Sequence, residues 1–190
     1  MITAADIVSR VRTIVNDTRE EYRNSDTEIF RWITDCLNVI LTARPSIFTK
    51  AATLILQAGA DQTVAGITRA VAFAGVEGYP KADLAAMDYF RPGWRSGEEA
   101  ALENWGAGNA GPLSFTVFPP SPGTQTITVL VVETPAPVTA LTDTVGIPDN
   151  MVAPVVQYCV ALVEAKDDEH VNSNRAAQAK ADFIAHIQGA

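Results

Sequence analysis

The stretch SDTEIFRWITDCLNVILTARP, residues 25–45, decides how the chain is organised. Ser25 followed by Glu28 is a Ser-x-x-Glu capping box, in which each side chain takes a backbone N–H that the first helical turn leaves unpaired. Ile29, Ile33, Cys36, Leu37, Ile40 and Leu41 then recur at helical spacing, with Phe30 and Trp32 flanking the stripe. Pro45 ends the helix, because its ring drives Arg44 out of the α region. A helix with one apolar stripe has to bury it against other elements.

The partners lie at both ends of the chain. Upstream, Thr3 with Asp6 approximates a second capping box, and Ile7, Val8, Val11, Ile14 and Val15 form its stripe. Downstream, Asp149 or Asn150 can cap a third helix that tolerates Pro154 near its first turn and carries Val155, Val156, Cys159, Leu162 and Val163. A fourth helix from about Asn172 carries Ala176, Ala179, Phe183 and Ile187. Packing the four against one another is the economical arrangement.

Between them the composition changes. Of the 11 prolines, ten lie between Pro80 and Pro154, and of the 12 glycines, 11 lie between Gly59 and Gly146. Both residues break helices, so the middle reads as strands and loops. Thr53–Leu56 is a short strand ending at Ala58-Gly59, and Ile67–Phe73 is a second, weakly patterned one. Leu113, Phe115 and Val117 alternate with polar or small residues, and Gln125–Glu133 alternates before turning apolar. The stiff connection Pro119-Pro120-Ser121-Pro122-Gly123 between these two predicts an antiparallel hairpin, and a short helix is expected near Ala82–Phe90. The fold class is therefore α+β: a helical bundle from the terminal segments with a small antiparallel β-rich middle section. The expectation is one domain over 1–190, helical over 3–46 and 149–188, with a β/loop-rich insertion over 50–147.

Composition narrows the function. The chain is 47% hydrophobic and 19% charged, which is too apolar for disorder. Its formal net charge of −8 argues against a dedicated nucleic-acid binder. All of that charge falls in residues 96–190; the first 95 residues balance, so one surface faces something particular or simply favours solubility. The N-terminus lacks a signal-peptide pattern, and the longest near-apolar run, Met151–Val163, is too short to span a bilayer. Synthesis and folding in the cytoplasm are expected, with no membrane partner. Cys36 and Cys159 lie on apolar stripes with no Cys-x-x-Cys, and so read as two buried, reduced thiols.

Catalytic signals are few. Gly106-Ala-Gly108-Asn-Ala-Gly111 matches Gly-x-Gly-x-x-Gly, but Pro112 and a strand pattern follow where a phosphate site needs a helix, so a flexible loop is expected. Glu164, Asp167, Asp168, Glu169 and His170 suggest metal ligands, yet no second acid-rich segment completes a shell; they read as a polar helix–helix connection. No nucleophile motif occurs. Catalytic residues, metal and cofactors are all expected to be absent. The segment Tyr89–Arg95, with Trp105 beyond it, is different. Phe90, Arg91, Trp94, Arg95 and Trp105 are the residue types that dominate protein interfaces, and they form the candidate interface; the alternative is that Trp94 plugs a core edge.

The ordered set of features is similar to a known family. It comprises the capped helix Asp26-Thr-Glu-Ile-Phe-Arg-Trp-Ile33, Arg44-Pro45, the Ala-Gly strand at Leu54–Gly59 and the Pro92-Gly93-Trp94 turn. Phe-x-Val-Phe-Pro-Pro at Phe115–Pro120 and Ile147-Pro148-Asp149 before a long helix complete it. Over nearly its whole length the chain resembles the head-to-tail adaptor, or connector, proteins of short-tailed bacteriophages, including the tail tubular protein A type. The resemblance implies a structural virion protein at the head–tail junction, in a homo-oligomeric ring of twelve copies. The portal protein would lie above it and the tail nozzle below, with genome DNA passing through unbound. It brings no catalytic residues. The alternatives are a stopper or tail terminator, a metal-dependent hydrolase using Glu164, Asp168 and His170, and a ligand-binding module built on the Trp94 and Trp105 loops.

Overall fold

In the computed structural model the described residues are 2–18, 22–97, 99–166 and 172–189. In chain order the elements are α1 (Ala4–Ile14), α2 (Asp26–Ala43), β1 (Thr49–Ile55), β2 (Ala58–Thr63), β3 (Ala70–Val76), α3 (Leu84–Phe90), β4 (Asn104–Ala107), β5 (Ser114–Pro122), β6 (Thr126–Glu133), α4 (Val152–Ala165) and α5 (Ser173–Gln188). The fold is α+β, and the chain divides into two compact units, Met1–Phe48 with Pro135–Ala190, and Thr49–Thr134. Residues 135–147, assigned by the sequence to the middle section, belong with the helices; Ala4 N–H bonds Asp143 C=O at 2.9 Å and Val138 N–H bonds Thr34 Oγ1 at 3.0 Å.

The helical unit is built as its caps and stripes dictate. Thr3 Oγ1 accepts from Asp6 N–H and Ser25 Oγ from Glu28 N–H, each at 3.3 Å, with the acidic partner returning the bond in both boxes. Ile7, Val11, Ile33, Cys36, Leu37, Ile40, Val155, Cys159 and Val163 form the buried seam of α1, α2 and α4. Both cysteines are free, and burial raises both thiol pKa values. Ala176 and Ala179 let α5 approach α4 closely, and Phe183 meets Tyr158 edge-on at 5.0 Å.

Three details differ from the stripes as read. Ile14 is exposed and Leu162 only half-buried, because each sits at the margin of its helix's contact face. Neither Asp149 nor Asn150 caps α4. A 3-10 turn, Asp149–Met151, runs straight into the helix, and Pro154 removes one of the N–H groups a cap would have served. Buried Arg12, not singled out in the sequence, ties the ends of α1 and α2 together through Asp26 at 2.7 Å, Asp17 at 3.3 Å and Asn24 C=O at 3.0 Å.

The β unit is two antiparallel three-stranded sheets, ordered β1-β6-β3 and β2-β5-β4. They bury Phe115, Val117, Val129 and Val131 completely, with Phe73 stacked on Phe115 at 4.4 Å. Ala58-Gly59, expected to end a strand, instead begins β2, and the strand expected over 67–73 runs over Ala70–Val76. No hairpin joins β5 to β6; they belong to different sheets. The proline run is part of β5. Pro119 and Pro120 fall where the β2–β5 register breaks between Gly59–Ser121 and Asp61–Thr116, so no ladder donor is required of them. Gly123, at φ 82°, then turns the chain into the other sheet. The matching bend between β1 and β2 is held by buried Gln62, which accepts Gln57 N–H at 2.7 Å and donates to the carbonyls of Gln57 and Gly59.

Of the run Gly106–Gly111, residues 108–111 form the loop that joins β4 to β5, and only its start lies in a strand. Gly106 lies in β4, where a Cβ would stand 2.9 Å from Leu84 Cγ. At Gly108 a Cβ would stand 2.6 Å from Phe115 N, so glycine is required by close packing of the β4–β5 connection.

Candidate functional site

Asp83 starts α3 by accepting Ala86 N–H at 3.2 Å, and the helix stops after about two turns at Arg91, whose N–H bonds Met87 C=O at 2.8 Å. Pro92 and Gly93, the latter at φ 83°, reverse the chain into a 3-10 turn, Trp94–Ser96. That reversal lays Trp94 and Arg95 back on the helix. The Trp94 indole N–H donates to Asp88 Oδ1 at 2.7 Å, and Arg95 Nε donates to the same oxygen at 3.1 Å. Arg95 also reaches Asp61 on β2 at 2.6 Å and lies over the Trp94 ring at 4.8 Å. Phe118 of β5 closes the other side of the indole, edge-on at 5.7 Å. The hydrogen bonds from Arg95, then from Trp94, hold the Asp88 carboxyl below its usual pKa, and Asp88 in turn raises Arg95.

Trp94 is thus a buried clamp, 6% exposed, and what it clamps is the end of α3. There Tyr89 and Phe90 are 82% and 79% exposed, with their rings perpendicular at 5.2 Å. Arg91 is exposed beside them, at the rim of a cleft of about 420 Å³ that Pro92, Trp94, Phe118 and Pro119 also line. Two adjacent aromatics exposed at a braced helix end are of the residue type enriched among interface anchors.

Of the five residues singled out in the sequence, four come together here: Phe90 and Arg91 outside, Trp94 and Arg95 beneath them. Trp105 does not join them. It lies in the core between the sheets, its indole N–H on Tyr79 C=O at 3.1 Å and Phe73 edge-on at 5.2 Å. The sequence reading missed Asp88 and Asp61 as braces. Asp88 stands six residues before Trp94, a spacing with no helical meaning once a turn intervenes, and Asp61 lies on the strand that was not recognised.

Other candidate chemistry resolves differently. Glu164 pairs with Arg175 at 3.1 Å, while Asp167, Asp168, Glu169 and His170 lie outside the described residues. Among the described residues no group of three acids, histidines or cysteines could hold a metal ion, and no helix is long and apolar enough to cross a membrane.

Comparison with known proteins supports the resemblance as far as a bacteriophage adaptor. No curated protein matches the chain. The family described as SU10 adaptor protein matches residues 2–190, covering both the helical unit and the β unit with its braced aromatic pair. With that match over nearly its whole length, the chain belongs to the SU10 adaptor protein family and is a bacteriophage adaptor, a structural component of the virion.

Proposed function

We propose that this adaptor forms a ring at the head–tail junction, twelve copies by the habit of the adaptors it resembles, joining the portal protein to the tail nozzle around the DNA exit channel. A ring of identical subunits repeats one head-to-tail interface until it closes, and each subunit must also present surface above and below. The observation that carries this reading is the exposed pair Tyr89 and Phe90, with Arg91, on the support that Trp94, Arg95, Asp88 and Asp61 brace. In this role Phe90 and Arg91 touch the portal, Trp94 and Arg95 position them, and Trp105 stabilises the sheets behind. A net charge of −8 suits a channel through which DNA slides without binding.

The test is capture of the full chain by an isolated portal ring. Phe90→Ala should weaken binding by about 2–4 kcal/mol, as anchors of this type do, with the melting temperature unchanged. Unaltered binding by both Phe90→Ala and Tyr89→Ala would refute the contact. Capture by tail tubes in place of portal rings would assign the chain to tail completion.

A further inference from the structure

Among the described residues the two sheets have four edge strands, β1, β3, β2 and β4, of which only one lacks protection. The register of β3 breaks twice against β6, and its Phe73 N–H is given to Pro112 C=O. In β2 there is a register break after Gly59, and the charged Asp61 lies on it. The edge of β4 is covered at Trp105, whose N–H and C=O bond Pro80 and Ala82. Irregularities, charges and covering segments are how edge strands avoid pairing with other chains. By contrast, β1 pairs with β6 in unbroken register over seven residues, Thr49–Ile55, without proline or glycine. Its single charge, Lys50, is taken up by Glu133 at 3.0 Å.

Which groups β1 turns outward follows from the ladder. Leu56 N–H bonds Gln125 C=O, so even-numbered residues of β1 face β6 and odd-numbered ones face away. Consistently, Thr128, opposite Thr53, gives its carbonyl to Glu77 on the far side of β6. The N–H and C=O groups of Ala51, Thr53 and Ile55 therefore point away from the sheet, with no partner among the described residues. All three residues are exposed, Ile55 at 64%.

We propose that this edge pairs antiparallel with the β1 strand of a second copy of the chain, about a two-fold axis at Thr53. The register is self-complementary. Thr53 faces Thr53, small Ala51 faces large Ile55, and Lys50 falls opposite Leu56, so no like charges meet. On a chain of net charge −8, an uncharged edge is where two copies approach with least repulsion. Three outward residue pairs exchange about six backbone hydrogen bonds and extend each sheet into one of twice the width. So short an edge buries less than the roughly 1,600 Å² of a standard interface, so the pair is weak and accumulates only at high concentration. Because such a contact is isologous and closes on itself, it is distinct from the head-to-tail contact of a ring and shields the edge in free subunits.

Sedimentation velocity of the full chain from low micromolar to millimolar concentration tests this independently of portal binding. The wild type should shift from monomer to dimer. Thr53→Glu and Thr53→Lys each place like charges face to face at the axis and should weaken association by about tenfold or more. Mixing the two variants should restore a one-to-one heterodimer. Thr53 is exposed, so circular dichroism should show both variants folded. A wild type that stays monomeric, single variants that still dimerise, or a mixture that fails to associate would each overturn the proposal.

Discussion

Trp94→Ala separates a residue that braces a surface from one that is the surface. Trp94 is 6% exposed, and its replacement removes the edge-on contact with Phe118, the Arg95 guanidinium from its ring and the 2.7 Å bond to Asp88. Aromatic-to-alanine changes at buried positions cost about 3–5 kcal/mol through lost transfer energy and the residual cavity. Trp94 lies beside an open cleft that can partly relax around the vacancy, which favours the lower end, about 3 kcal/mol. Trp94→Phe keeps most of the apolar area but loses the indole donor, a hydrogen bond to a charged acceptor worth about 1.5–3 kcal/mol. Phe90→Ala, at 79% exposure, should change stability by less than about 0.5 kcal/mol. Denaturant unfolding of the three variants, followed by circular dichroism, measures the series. The reasoning fails if Trp94→Ala costs under about 1 kcal/mol, or if Phe90→Ala costs as much as Trp94→Ala. With the clamp gone the end of α3 loses its brace, so portal capture should fall for Trp94→Ala even under conditions where it is folded.

Three further outcomes are expected. Leu37→Ala, in the sealed helical seam, should destabilise by about 2–5 kcal/mol in chemical denaturation, and Leu162→Ala, half-buried, by clearly less; equal losses would misplace the seam. Thiol titration should find Cys36 and Cys159 free but slow to react until denaturant is added, since burial raises both pKa values; rapid native labelling would contradict the packing. The carboxyl pKa values of Asp6, Glu28, Asp88 and Asp143 are all lowered in the fold, chiefly by hydrogen bonds they accept. Their stabilisation is full above the unfolded carboxylate range, about pH 4, and is lost as pH falls through the lower native values. Stability measured against pH should therefore drop below about 4, and a flat acid limb would refute this linkage.

The helical frame was legible because its signals are local. Two capping boxes, the Asn172 cap, the 3.6-residue stripes and the break at Pro45 each act within a few residues, so reading them needs no knowledge of distant neighbours. The same holds for the short helix expected near Ala82–Phe90 and for the cysteines on apolar stripes. The candidate site was half legible. Its residue types drew attention to 90–95, but which of them face water depends on Asp88, Asp61 and Phe118 arriving from a helix and two strands.

Strand pairing was decided by tertiary structure alone. The proline run at Pro119–Pro122 is a turn signal wherever every strand residue must donate to a ladder. Here the β2–β5 register breaks opposite it, so the prolines remain in the strand and the expected hairpin opens into two sheets. The glycines at Gly106 and Gly108 look like freedom in the sequence and are contact distance in the structure. The period-two pattern of a strand tells which face is buried and nothing about which strand lies beside it, because the ladder bonds are made by backbone groups that every sequence shares.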